Sequence, residues 1–332
     1  MQPARSRPLS LSQNFLTSRA LVDRLLAASS IRTGDLVFDL GAGSGLIAER
    51  LARRGCDVIA VEKDPGLAHT LTVRFADEPQ VRVYRGDVRE MPLPHRPYKV
   101  FANIPFDATA AIVDRLTHAS CPPEDSYLVM QREAAMRFVG QPRGTLIATL
   151  LRPWFEPAIV HRFRRTDFVP APHVEVVMFR LHKRGPPLVQ VAHAQLYRDF
   201  VVSMFTARQR SVVESLRRVV GSLRARRVAA HAGLDPLATP SEIAFDSWLE
   251  VFNTLNSGSA LHRQGTLTGA ERRLVRQQRR LRKVHRTSAA GRARQSRTTA
   301  PRTETTLRPL PAARPAGRSQ GRSRGVAGGL LQ

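Results

Sequence analysis

Five short apolar runs, "LVFDL" (36–40), "DVIAVE" (57–62), "VRVYRGD" (81–87), "YKVFAN" (98–103) and "SYLVMQ" (126–131), alternate with helix-patterned stretches such as "GLIAERLARRG" and "PGLAHTLTVRFA". Short apolar strands joined by helical crossovers predict a largely parallel sheet covered on both faces, an α/β fold. Asp64 followed by Pro65 reads as a helix start, with an N-cap carboxylate and proline at the first helical position. "EVVMFRL" (175–181) reads as the last strand before the pattern changes.

From about 190 to 256 the sequence turns helical, with apolar side chains three and four apart in "AQLYRDFVVSMF" and "SVVESLRRVVGSL". Thr239, Pro240 and Glu242 have capping-box spacing, which predicts one more helix through "TPSEIAFDSWLEVFNTL". Beyond 258 the chain is Arg, Ser, Thr, Pro, Gly and Ala with few aromatic or branched apolar residues, too few to offset the entropy of ordering. The expected organisation is an α/β domain over 1–184, a small all-α domain over 185–257, and a disordered Arg-rich tail over 258–332. Within that tail, "GAERRLVRQQRRLRKVHR" has the pattern of a basic helix on an RNA surface.

Charge narrows the partner. Of a formal net charge of +25, the tail carries +16, and the remainder of the chain is basic as well. Lys and Arg that neutralise phosphates and release counterions make a polyanion the simplest partner. No run approaches the roughly 18 apolar residues of a spanning helix, and "MQPARSRPLSLSQNFL" lacks the apolar core of a secretory signal. No membrane partner and a cytoplasmic location are expected. Cys56 and Cys121 lie far apart, outside any CxxC spacing, and the ten His form no HExxH pattern, so neither a disulfide framework nor a metal site is expected.

The chemistry concentrates at strand ends. After the first run comes "DLGAGSG", with Gly41, Gly43 and Gly45 in G-x-G-x-G spacing before a helix. Such a turn lets a ligand lie against backbone at the carboxyl end of a strand. The dinucleotide fingerprint would need glycine at 46, where this chain has Leu46. Tighter spacing behind Asp39 suits a cofactor with a cationic centre and no pyrophosphate, which points to S-adenosylmethionine. Glu62 closes the second run, placed to accept from ribose hydroxyls, and Asp87 ends the third, placed to accept from an adenine amine. Taken singly each is an ordinary solvated carboxylate; at successive strand ends they make a pattern.

The fourth run ends in Asn103, Ile104, Pro105 and Phe106. An exocyclic adenine nitrogen is a poor nucleophile, its lone pair delocalised into the ring. Acceptors on the Asn103 side chain and the Ile104 carbonyl would localise that pair, Pro105 would hold them in place, and Phe106 would stack on the base. A paired or stacked target must be flipped out or already single-stranded.

These motifs, in order from "SQNFL" (12–16) through "DLGAGSG", "AVEKD", "GDV" and "NIPF" to "FVPAPHVEVVMFRL" (168–181), resemble those of the rRNA adenine N6-methyltransferases. The resemblance is closest to the Erm group, which modifies an adenine of 23S rRNA and gives resistance to macrolides, lincosamides and streptogramin B. It implies a Rossmann-like S-adenosylmethionine-dependent methyltransferase domain followed by a small helical domain. It also implies that Asn14, Leu16, Gly41, Glu62, Asp87 and Asn103 hold the cofactor, with Gly43 in the same loop, and that Phe106 stacks on the target base. "SQNFL", including Gln13, can close over the methionine end of the cofactor, or serve as a hydrophobic staple before a helix at 18; both readings stand.

Arg132, Arg137, Arg162, Arg164 and Arg165 are candidate phosphate contacts, although any one such residue is more often a solvated surface charge. The chain is expected to act on 23S rRNA as a monomer. A KsgA-type enzyme dimethylating adjacent adenines of small-subunit rRNA is the neighbouring alternative, although that group usually carries Leu and Tyr where this chain has Ile104 and Phe106. A non-catalytic RNA-binding or transcription factor on the same fold, and a DNA adenine methyltransferase, are the more distant ones.

Overall fold

The computed structural model describes residues 14–257 and 267–278. Its strands are β1 (Phe15–Leu16), β2 (Leu36–Leu40), β3 (Asp57–Glu62), β4 (Val81–Arg85), β5 (Lys99–Asn103), β6 (Asp125–Gln131), β7 (Phe155–Arg162), β8 (Phe168–Val169) and β9 (Val176–Lys183). The helices are α1 (Arg19–Ala27), α2 (Leu46–Arg53), α3 (Pro65–Arg74), α4 (Thr109–Thr117), α5 (Arg132–Val139), α6 (Leu146–Leu151), α7 (Ala194–Thr206), α8 (Val212–Val220), α9 (Ser222–His231) and α10 (Phe245–Ser257).

A seven-stranded sheet runs in the order β4-β3-β2-β5-β6-β9-β7. The five strands predicted from the apolar runs are its parallel part. From β2 the chain winds outward to β3 and β4, then returns to lay β5 on the other side of β2. This reversal opens a crevice beyond the carboxyl ends of β2 and β5, the place where doubly wound sheets receive ligands. Asp64 caps α3 as expected, its Oδ1 accepting from the amides of Gly66 and Leu67 at 2.9 Å each.

The other two strands are antiparallel, and β7 is absent from the sequence reading. β7 lies at the sheet edge, contains Pro157, and has only its first residue buried, so it carries no apolar run. Proline is tolerated at an edge because its missing N–H faces no partner strand. Separately, β1 pairs with β8, Phe15 opposite Val169 and Leu16 opposite Phe168. That two-residue ladder joins "SQNFL" to "FVPAP", which are far apart in sequence.

Val37, Ala60, Phe101 and Val129 pack with α1 and α2 on one face of the sheet, and Val61, Val100, Leu128 and Phe179 pack with α4 and α5 on the other. A third core lies among α7, α8, α9 and α10 around Tyr197, Phe200, Trp248 and Phe252. Helix α6 serves two of these cores: Ile147 and Leu151 face the sheet, while Leu146 and Leu150 pack on the helical layer. The Thr239–Glu242 capping box forms, but it caps only the single turn Pro240–Glu242. Ile243 is extended (φ −82°, ψ 128°) and α10 starts at Phe245, so the predicted helix is two elements.

Residues 267–278 form a turn and a helix over 270–278, the first half of the stretch "GAERRLVRQQRRLRKVHR" expected as a basic helix within an otherwise disordered tail. Leu267 and Ala270 are buried there, which offsets ordering entropy locally. Residues 1–13, with Gln13, and 258–266 and 279–332 lie outside the described residues.

Candidate active site

The glycine turn sits at the carboxyl end of β2. Gly41 (φ +80°) and Gly43 (φ +54°) adopt left-handed backbone that costs an L-residue about 1–2 kcal/mol. Space is tight for a side chain too. A Cβ on Gly41 would approach Pro105 Cδ to 3.3 Å, and one on Gly43 would lie 2.6 Å from the Phe15 ring. The turn therefore lies directly against Pro105 on one side and the "SQNFL" segment on the other. The Gly41 and Ala42 amides both donate to the Val61 carbonyl, at 2.8 and 2.9 Å, tying the loop to β3.

Three acids near this turn have three different settings. Glu62, the last residue of β3, is buried, and its carboxylate accepts from the Gly43 amide and the Asp64 amide at 2.9 Å each. An ionised carboxylate has about four lone-pair positions, so two remain for a ligand's hydroxyls. Asp87 lies two residues past β4 in a turn, and Arg89 (Nε to Oδ1, 2.8 Å) and Lys63 (2.9 Å) donate to it. Arg89 beside it, aided by Lys63 and opposed by partial desolvation, holds its carboxyl well below the usual carboxylate range. Asp39 is fully buried, and neither oxygen has a hydrogen-bond partner among the described residues. Burial pushes its pKa up to about 8, the Ala48 amide opposing and the charge of Glu62 reinforcing the rise.

At the end of β5, Asn103 Nδ2 donates to the Asn14 carbonyl at 2.7 Å. A carbonyl can only accept, so this contact fixes which way the amide faces and leaves Oδ1 available as an acceptor. Ile104 is buried, its amide donating to the Val129 carbonyl at 3.3 Å. Pro105 (φ −58°, ψ 128°) turns the chain into the short turn Phe106–Ala108, and Phe106 is partly buried against the sheet core. The group of Asn14 that meets Asn103 is its backbone carbonyl, a contact that no residue-type signal can reveal. Leu16 is buried beneath it in the β1–β8 ladder.

These observations fit S-adenosylmethionine at the turn itself: left-handed glycines packed against Pro105 and Phe15, an orphaned carboxylate behind them, and Glu62 with acceptor capacity left over. Asp87 already accepts four hydrogen bonds from Arg89 and Lys63.

The five candidate phosphate contacts divide. Arg137, Arg162, Arg164 and Arg165 are exposed. Arg132 is half-buried and paired with Glu175 at 3.1 Å, and Arg165 donates to the Pro172 carbonyl at 2.8 Å. Sequence reading passed over a denser basic surface on the α8–α9 hairpin, where Arg217, Arg218, Arg224, Arg226 and Arg227 are all exposed. The signal was present: over 207–232 the only acidic residue is Glu214.

The sequence matches the model of the ribosomal RNA adenine dimethylase family over residues 5–257. It is 32% identical over 249 residues, 74% of this chain and 77% of the other, to an rRNA adenine N-6-methyltransferase of Streptomyces fradiae. It is 28% identical over 254 residues, 73% of this chain and 91% of the other, to ribosomal RNA small subunit methyltransferase A of Synechococcus sp. (strain JA-3-3Ab). Among solved structures, the 23S rRNA methyltransferase ErmE superposes with a TM-score of 0.69 at 30% identity, covering 73% of this chain and all of that one. With its glycine cradle, acidic strand ends and Asn103–Phe106 turn in one crevice, the chain belongs to the ribosomal RNA adenine dimethylase family, whose cofactor is S-adenosylmethionine.

Proposed function

We propose that this protein methylates the exocyclic N6 of an adenine in 23S rRNA and thereby confers resistance to macrolides, lincosamides and streptogramin B. The observation that carries the reading is the contact of the Gly41 turn with the Asn103–Pro105 corner, since it brings donor and acceptor sites to one crevice. The relatives that act on rRNA and the likeness to ErmE support the substrate class.

When bound, S-adenosylmethionine supplies a methyl group on a positively charged sulfur. The Gly41–Gly43 turn would lie against it, Glu62 would offer its two spare lone pairs to the ribose, and Asp87 would accept from the adenine by exchanging one of its present donors, Arg89 or Lys63. Asn103, its N–H groups turned to Asn14, presents Oδ1 to the target amine, and the Ile104 carbonyl serves as the second acceptor. Two acceptors draw the amine out of conjugation and orient its lone pair, a positioning effect that needs no strong base. Phe106 stacks on the extruded base, for which base–aromatic contact contributes about 1–3 kcal/mol. The exposed arginines of α8 and α9, with Arg137, Arg162 and Arg164, hold phosphates around it.

Incubation with labelled S-adenosylmethionine and either 23S or 16S rRNA, followed by primer extension, tests this. A stop at one adenine of 23S rRNA is expected. Label only in 16S rRNA, at adjacent adenines, would move the chain to the small-subunit reading, which the relative from Synechococcus favours. Cofactor binding without transfer to either RNA would favour a non-catalytic factor.

A further inference from the structure

Helix α7 carries a carboxylate where its pattern calls for an apolar residue. Asp199 is 4% exposed, between Arg198 and Phe200 on a helix that otherwise buries Tyr197, Phe200, Val201, Val202 and Met204. Its two oxygens accept from the amides of Gly269 (2.9 Å) and Glu271 (2.9 Å). These are orphan donors at the start of the helix over 270–278, so a residue of one helix caps another from some 70 positions away. The contact is reinforced on both sides. Leu267 is buried in the helical core beside it, and Glu271 is drawn inward to Arg198 (3.5 Å) and Gln195 (3.1 Å). Arg198 in turn reaches His118 at the end of α4 (2.5 Å) and lies over the Trp154 ring at 5.2 Å, so the anchor extends to the sheet domain.

With Glu271 committed inward, the outer side of this helix is basic. Arg272 and Arg276 are exposed and four apart, hence on one face. We propose that residues 267–278 form a fixed RNA-phosphate-binding element, that Asp199 is the residue holding it in place, and that Arg272 and Arg276 contact the rRNA backbone. This rests on the rRNA-substrate reading above and adds to it a position. A free polycation must lose conformational freedom when it binds, whereas an anchored helix has already lost it in folding.

The test uses the full chain and a 23S rRNA transcript, with binding measured across salt concentrations. For R272Q/R276Q, a surface change, the slope of log K against log salt should become shallower by about 2, with affinity reduced roughly tenfold at low salt. D199N should weaken binding several-fold and leave the slope near wild type, because the phosphate contacts persist while their ordering is lost. Hydrogen exchange should show the Gly269 and Glu271 amides protected in wild type and exposed in D199N. Wild-type affinity and slope in R272Q/R276Q would overturn the phosphate contacts, and unchanged amide protection in D199N would overturn the anchor. If D199N does not fold, R272Q/R276Q and the wild-type amide protection still decide the matter. Failure of the wild type to bind or methylate any rRNA would instead remove the substrate reading, and this inference with it.

Discussion

The two ends of the parallel sheet are built from the same residue types and treat them in opposite ways. At the amino end the acids Asp35 and Asp125 are matched, although Tyr98 OH, Ser126 Oγ and His182 Nδ1 are buried there without a hydrogen-bond partner among the described residues. Lys99 donates to Asp35 (2.7 Å) and to the Ser30 carbonyl (2.8 Å). Asp125, 1% exposed, accepts from Ser30 Oγ (2.8 Å), Tyr127 OH (3.1 Å) and Arg180 (2.6 Å). At the carboxyl end Asp39 has no hydrogen-bond partner among the described residues, Glu62 is half-satisfied by backbone, and Asn103 has one end of its amide unspent. An unmatched buried polar group costs about 1–3 kcal/mol. Nothing in stability favours leaving the Asp39 carboxyl unmatched, and with spare acceptors on Glu62 and Asn103 beside it the group marks where a ligand would complete the structure.

Substitutions on either side should therefore separate activity from stability. The largest effect is expected at the carboxyl end: Asn103→Ala removes an acceptor aimed at the reacting amine and should lower methyl transfer about 10²–10³-fold. Its loss of the hydrogen bond to Asn14 should cost only about 1 kcal/mol of stability, read by urea denaturation. Transfer at wild-type rate would refute the role given to this corner. At the amino end the pattern inverts. Asp125→Ala strands Arg180 and should cost about 3 kcal/mol of stability, the low end for a broken buried pair because the Arg180 side chain is a third exposed. Turnover per folded molecule should stay at the wild-type value, and a specific loss of turnover would break the division between the two ends. Gly43→Ala falls between: left-handed backbone and the nearby Phe15 ring should cost about 1–2 kcal/mol and weaken cofactor binding by calorimetry. A cofactor affinity equal to wild type would show that the turn does not approach the ligand.

The same asymmetry explains what the sequence made legible. Features set by local backbone or composition could be read directly: the apolar runs of β2 to β6, the Asp64–Pro65 cap, the glycine turn, and the Asn103–Phe106 corner with its acidic neighbours. Features that depend on where distant residues meet could not. Strand β7 hides because an edge position needs no apolar run and permits Pro157. The Asn14 carbonyl is invisible because every residue has one, and only the β1–β8 ladder aims this one at Asn103. Asp199 left a trace, a carboxylate in an apolar helix, but nothing in the sequence pairs it with the start of the expected basic helix some 70 residues on. The capping box at Thr239 misled in the other direction. Its local geometry forms, and the extended Ile243 then ends the turn before a helix can grow.

The effect most spread out over conditions, and the one that tests the asymmetry most directly, is the pH dependence imposed by Asp39. Its ordinary pKa of 3.8 is pushed up to about 8 by burial, with Glu62 the charged neighbour that adds to the rise. Between those values the folded protein keeps a proton that the unfolded chain has released. Stability of the cofactor-free protein must then fall as pH rises from about 4 to about 8, by up to about 1.4 kcal/mol per pH unit. Below about 4 both states are protonated and the contribution is flat. Asp39→Asn has no proton to hold, so its stability should lack this slope, and the two denaturation curves should converge toward acid and separate toward neutral pH. A bound cation near Asp39 would favour the ionised carboxylate and shrink the slope, so adding S-adenosylmethionine should bring wild type toward the flat profile while leaving Asp39→Asn unmoved. Parallel pH profiles for the two cofactor-free proteins would mean that Asp39 is ionised and solvated after all, and the contrast between the matched and unmatched ends of the sheet would lose its sharpest member.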